Sequence, residues 1–194
     1  MIGGRGKYLG PRYHFAMKTM RRLGVSACVS AYSLLASTAL ATWSIVLVDS
    51  RTGEVAIASA TCLENFDLQA NSPVVVVGKG AAAAQSTVDV GGTNRTRIQT
   101  ALQHGTDPSS LLLQLAAADG LHASRQYGVL DTKSRGFTFT GEDCNGWAGG
   151  VSGSFTYEHA GETFEITYAI QGNLLTGEPV VLAALDAVRN TDGD

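Results

Sequence analysis

Thr42-Trp43-Ser44-Ile45-Val46-Leu47-Val48-Asp49 is the stretch on which the reading of this chain turns. Apolar and β-branched side chains fill both alternating faces, the pattern of a strand covered on both sides. Ser50-Arg51-Thr52-Gly53 follows as a turn, its glycine free to take the positive φ that such turns often need. Val55–Thr61 returns as a second strand with a small face of Ala56, Ala58 and Ala60 suited to close packing. The two read as a hairpin.

Upstream of this hairpin, from Met17, a basic stretch (Lys18, Arg21, Arg22) leads into an apolar and small-residue run from Leu23 to Thr38, then Ala39-Leu40-Ala41. That is the layout of a secretory signal. Cleavage is expected after Ala41, residues 1–16 are expected to be an over-extended start, and the product is expected in the periplasm or outside the cell. A membrane anchor would need about 20 apolar residues. This run is shorter and broken by Ser26, Ser30, Ser33, Ser37 and Thr38, so no stable span is expected after cleavage. Val25-Ser26-Ala27-Cys28 has the look of a lipoprotein box, but no apolar region precedes it.

Charge divides the chain at the same place. Of its 194 residues, 14 are Lys or Arg and 17 are Asp or Glu. Six of the basic residues and none of the acidic ones precede Thr42. The remainder is therefore clearly acidic and would repel a phosphate backbone, which excludes nucleic acid as an expected partner. Length and hydrophobic content suit one ordinary domain over residues 42–190, with a polar tail at 191–194. Asn190-Thr191-Asp192-Gly193-Asp194 echoes a calcium loop but lacks the later ligands, so no metal or cofactor is expected.

Two strand candidates, Pro73–Val77 and Ala81–Thr87, are split by Gly78-Lys79-Gly80. A helix capped by Thr93 or Asn94 runs through Ile98, Ala101 and Leu102 to Gly105. A second is capped by Asp107 with Pro108 in its first turn, shows Leu111, Leu112, Leu115 and Ala118 on its apolar face, and ends at Gly120. Gln126–Thr140 and Phe155–Ile170 each read as a hairpin, and a helix from near Glu178 fades at Asn190. The order of elements predicts an α+β domain with helices laid over a largely antiparallel pair of sheets.

Signal removal would leave Thr42 with a free α-amine beside its own hydroxyl. Such an amine, with an unperturbed pKa of about 7.7–8.0, is partly neutral at physiological pH and can take the hydroxyl proton directly or through one water. An attacking Thr42 Oγ implies acyl transfer, and amide hydrolysis above all. Cys62 and Cys144 would remain after export, as one disulfide or as two separate thiols. Two cysteines without nearby histidine make no zinc site, and His104, His122 and His159 stand in no recognisable triad.

The opening Thr42–Val46 with Asp49, Thr52-Gly53 and Ala58-Ser59-Ala60 resembles the DUF1028 family of unknown function. So do Gln126-Tyr127-Gly128-Val129-Leu130-Asp131, the segment Thr140–Cys144 to Trp147-Ala148-Gly149, and Gln171-Gly172-Asn173-Leu174-Leu175-Thr176-Gly177. The resemblance implies the N-terminal-nucleophile (Ntn) hydrolase superfamily: a four-layer αββα sandwich, with Thr42 at the nucleophile position and sites that often form where subunits meet, hence self-association. No acidic residue stands at the end of the second strand, where Ala58 and Ser59 lie, and no strand lysine is present; Lys79 reads as a turn residue. Gln85, a backbone N–H near Ala84–Ser86, or Asn173 is expected to serve the oxyanion or substrate, or else to satisfy backbone groups. Ser59 is expected to orient the Thr42 amine or to pack. The expected function is an exported hydrolase acting on an amide of a small or peptide-like substrate; the alternative is an inactive secreted binding or scaffold domain.

Overall fold

A computed structural model describes residues 41–191. The leader, its cleavage site up to Leu40, Cys28 and the end of the polar tail lie outside the described residues. The elements run β1 (Thr42–Asp49), β2 (Val55–Thr61), α1 (Leu68–Asn71), β3 (Pro73–Val76), β4 (Gly80–Ser86), α2 (Thr93–His104), α3 (Pro108–Ala118), β5 (Arg125–Asp131), β6 (Gly136–Thr140), β7 (Trp147–His159), β8 (Glu162–Leu175) and α4 (Glu178–Asn190). The chain is α+β, with two antiparallel four-stranded sheets ordered β2-β1-β8-β7 and β3-β4-β5-β6.

Strand periodicity sorts the side chains into three apolar clusters. Val46, Val48 and Ala169 from one sheet meet Ala81, Ala83 and Leu130 from the other, so the sheets face each other across a thin, alanine-rich seam. The alternate residues Trp43, Ile45 and Leu47 turn outward against Val181 and Leu185 of α4. Ala82, Ala84, Tyr127 and Val129 turn outward on the second sheet, against Ile98 and Leu102 of α2 and Leu111 and Leu115 of α3. Burying each of these larger side chains contributes about 1.5–3 kcal/mol.

Most local readings match. The Asp107 carboxylate accepts from Ser109 N at 2.9 Å, and Pro108 opens α3. Gly105 ends α2 in the left-handed conformation at φ 66°. Four readings are corrected. Neither Thr93 nor Asn94 caps α2: Gly92 holds the cap position, and Asp89 accepts from Asn94 N at 2.6 Å. The face of Ala56 and Ala58 is exposed rather than closely packed, because α4 covers β1 and β8 but does not extend over β2. Ala118 is also exposed, leaving Leu111 and Leu115 to anchor α3. Finally, β7 and β8 extend well beyond Phe155–Ile170 at both ends.

A polar cluster ties the outer helices to their sheet. Arg125 Nε donates to Asp119 Oδ2 at 2.8 Å, and Asn94 Nδ2 bridges Asp119 and the Tyr127 hydroxyl. The Arg125 hydrogen bond holds the Asp119 carboxyl down to about 2. Its contribution to stability is full above the ordinary value of 3.8 and is lost as pH falls through about 2. Burial lowers the neighbouring His122, which favours its neutral form and adds to the loss in acid as pH drops below its ordinary value. Asp119→Asn is expected to lower stability by about 1–2 kcal/mol at neutral pH, allowing for solvent screening. Urea midpoints of parent and variant should converge between about pH 4 and about pH 2; a pH-independent gap would contradict the ion-pair account.

Candidate functional site

Thr42 heads β1, an interior strand paired on one side with β2 and on the other with β8, so its backbone lies opposite Thr61 and Asn173. Being in phase with Ser44, Val46 and Val48, its side chain faces the space between the sheets. It is partly buried, and its Oγ1 shares a 2.9 Å hydrogen bond with Thr61 Oγ1. Thr42, Thr61, Ser72, Gln85 and Ser86 contribute to a cavity whose remaining wall is apolar. With about 10 Å³ of space, it holds roughly one water.

At this end of the seam the alanine and valine packing gives way to amides and hydroxyls. Ser44 Oγ donates to Gln85 Oε1 and shares a 2.9 Å hydrogen bond with Ser59 Oγ. Gln85 Nε2 donates to Gln126 Oε1 at 2.7 Å and to the Thr42 carbonyl at 3.4 Å. Gln126 Oε1 also accepts from Asn173 Nδ2 at 3.1 Å, while Gln126 Nε2 donates to Thr140 Oγ1 and to the Gly172 carbonyl, each at 2.9 Å. Ser44, Gln126 and Gln171 are fully buried, and Gln85 and Asn173 nearly so. Gln171 lies against Gly128, where any Cβ would collide with its amide, and neither amide atom has a partner among the described residues. These groups are neutral, so burying them avoids the large desolvation cost of a charge.

The four site residues expected from sequence therefore gather at one end of the seam, with different attachments. Gln85 touches Thr42 through its carbonyl, and Asn173 lies beside Thr42 in register and reaches Gln126. Ser59 bonds to Ser44 rather than to Thr42. Cys62 and Cys144 are free thiols; Cys62 N donates to the Ala41 carbonyl at 2.9 Å, and Cys144 Sγ donates to the Arg125 carbonyl at 3.4 Å. Lys79 is exposed in the turn after β3, as its glycine neighbours indicate. Among the described residues no three or more His, Cys, Asp or Glu side chains gather into a metal-ligand set, and no helix is long and apolar enough to cross a membrane.

Ser44, Ser72, Gln126 and Gln171 were not expected at the site. Ser44 is legible in hindsight, since it stands two residues from Thr42 in a strand and must share its face. Gln126 and Gln171 begin motifs quoted above, but only the strand register brings them together. Ser72 follows α1, whose single turn leaves no helical periodicity to read.

Two facing antiparallel sheets with helices on their outer faces define the structural class. The chain belongs to the family of unknown function DUF1028, which matches residues 42–194. It is similar in fold to the crystal structure of protein SPO2555 from Silicibacter pomeroyi, of the same family, with a TM-score of 0.64 and 21% sequence identity. The similarity covers 79% of this chain and 64% of that one, so the chain spans less than two thirds of that protein's length. No curated protein matches the sequence significantly.

Proposed function

We propose that this protein is an exported Ntn hydrolase, an αββα sandwich that cleaves an amide bond of a small or peptide-like substrate through an acyl-enzyme on Thr42. The supporting observation is the position of Thr42: at the head of an interior strand, facing the space between the sheets, with its hydroxyl on a small cavity. Removal of the leader after Ala41 frees the α-amine on the same residue. The amine takes the Oγ proton, Oγ attacks the carbonyl carbon, and the amide nitrogen leaves with that proton; water then releases the acid. The neutral network beneath Thr42 fixes its backbone, since Gln85 Nε2 holds the Thr42 carbonyl while Gln126 holds Gln85. Substrate and export remain parts of this reading, and no cofactor enters it.

A binding or scaffold domain on the same fold is the second reading. It is favoured by the cavity lining, which among the described residues contains no carboxylate or lysine to assist an attacking hydroxyl.

One experiment separates them. Mass spectrometry of the exported protein should show Thr42 as an unmodified first residue, and β-propiolactone should add its full mass to Thr42. The labelling rate should rise with pH and level off above about 8, following the α-amine. A different first residue, an acylated amine, or an unlabelled Thr42 would remove the catalytic reading and leave the binding one.

A further inference from the structure

The Thr42 cavity shares a wall with a much larger space. An open groove of about 530 Å³ runs between the outer edges of β2 and β3, with Val55, Ile57, Leu68, Pro73 and Val75 as its aliphatic lining. Leu68 lines this groove on one side and the Thr42 cavity on the other. Among the described residues no ionisable side chain lines either space. The volume lies within the usual range for a small-molecule site.

The small cavity also holds an unanswered polar group. Ser72 is 2% exposed and lines the cavity with Thr42, yet its Oγ has no partner among the described residues. A buried hydroxyl without a hydrogen bond is costly, so the one-water space beside it marks a polar position that a ligand's polar group could take over from that water. The groove is mainly aliphatic, with Ser59 and Gln69 as its polar lining, and the hydroxyls and amide of the Thr42 cavity lie beyond Leu68 among Leu63, Phe66, Ala84 and Val88.

We infer that the groove receives the aliphatic acyl chain of an uncharged N-acyl amide whose carbonyl carbon is presented to Thr42. This rests on the nucleophile reading and adds a substrate class to it. Ser72 then meets the polar amide end while the chain passes Leu68 towards Val75. Thr42 Oγ forms the ester, the C–N bond breaks, and the amine leaves carrying the hydroxyl proton. Water next cleaves the ester, releasing the aliphatic carboxylic acid and restoring the hydroxyl. An acyl chain ending in a carboxylate would find no cation along the groove. An extended peptide pairing with an edge strand is less favoured, because β3 is only four residues long and Pro73 offers no N–H.

The test uses the exported, processed protein and three β-lactones: the unsubstituted lactone, one with an α-hexyl chain, and one with an α-chain of similar length ending in a carboxylate. Attack at the lactone carbonyl opens the ring and transfers the whole mass to Thr42, with the released alkoxide taking the proton. At about fourfold for each methylene removed from water, the hexyl lactone is expected to label Thr42 at least tenfold faster than the other two. Val75→Glu, at a half-exposed edge position, should bring the hexyl preference close to one. Leu113→Glu, exposed on α3 and outside the groove, should leave the preference intact. Ratios within one variant cancel any change in the amount of folded protein. If the unsubstituted lactone labels Thr42 but the hexyl chain brings no gain, or the carboxylate labels as fast, the acyl-chain inference is overturned and the nucleophile stands. If no lactone labels Thr42, both fail.

Discussion

Thr42→Ala is expected to fold as the parent does and to lose at least a thousandfold in the rate of acylation by an electrophile. The structural loss is small: one partly buried hydrogen bond, Thr42 Oγ1 to Thr61 Oγ1, worth about 0.5–1.5 kcal/mol. The backbone pairs on both sides of Thr42 stay in place, because they do not involve the side chain. On the nucleophile reading the chemical loss is large, because no other hydroxyl lining the cavity among the described residues would carry a free α-amine after leader removal. Thr61, Ser72 and Ser86 line the same cavity but would have to attack without a base of their own. Thr42→Ser keeps the oxygen and the amine and should retain reactivity within about tenfold. Labelling of the alanine variant at the parent's rate would move the nucleophile elsewhere or remove it.

Gln126→Leu is expected to be the most destabilising substitution of similar volume at this end of the seam, costing about 3–5 kcal/mol. Gln126 is completely buried and stands at the centre of the network. Its removal leaves Asn173 Nδ2 and the shorter bond of Gln85 Nε2 without their acceptor, and Thr140 Oγ1 and the Gly172 carbonyl without a donor. Each buried group left unmade costs about 1–3 kcal/mol, and shared relaxation keeps the total below their sum. For a domain of this size the melting temperature should fall by about 10 °C or more. Reactivity at Thr42 should also drop, since Gln85 would lose the bond that orients it under the Thr42 carbonyl. A variant within about 1 kcal/mol of the parent would show that the network is not a structural unit.

Much of this was legible because it is local. The Thr42–Asp49 and Val55–Thr61 strands, the Asp107-Pro108 start of α3 and the Glu178–Asn190 helix carry their signals within a few residues. The first half of β7 was not legible, because Gly149, Gly150 and Gly153 offer no side-chain alternation to read as a strand. The structure explains them: a Cβ at Gly150 would meet the Ile170 carbonyl and Gln171, and one at Gly153 would meet the Tyr168 hydroxyl. α1 is a single turn with Asp67 as its cap, too short to show a period. At the site, Thr42, Gln85 and Asn173 could be named from sequence. Their meeting at Gln126 could not, because it depends on the register of β1, β4, β5 and β8 together.

The bond from Cys62 N to the Ala41 carbonyl extends the β1–β2 ladder one residue upstream of Thr42. A peptidase needs its target drawn out as a bare, extended segment, and a linkage clamped into a finished sheet denies it that. On the proposed reading, with cleavage after Ala41, maturation would follow a fixed sequence: the leader trimmed while the polypeptide is still unstructured, and the sandwich closing afterwards. A molecule that folded first would, on that reading, keep its leader and never free the Thr42 amine.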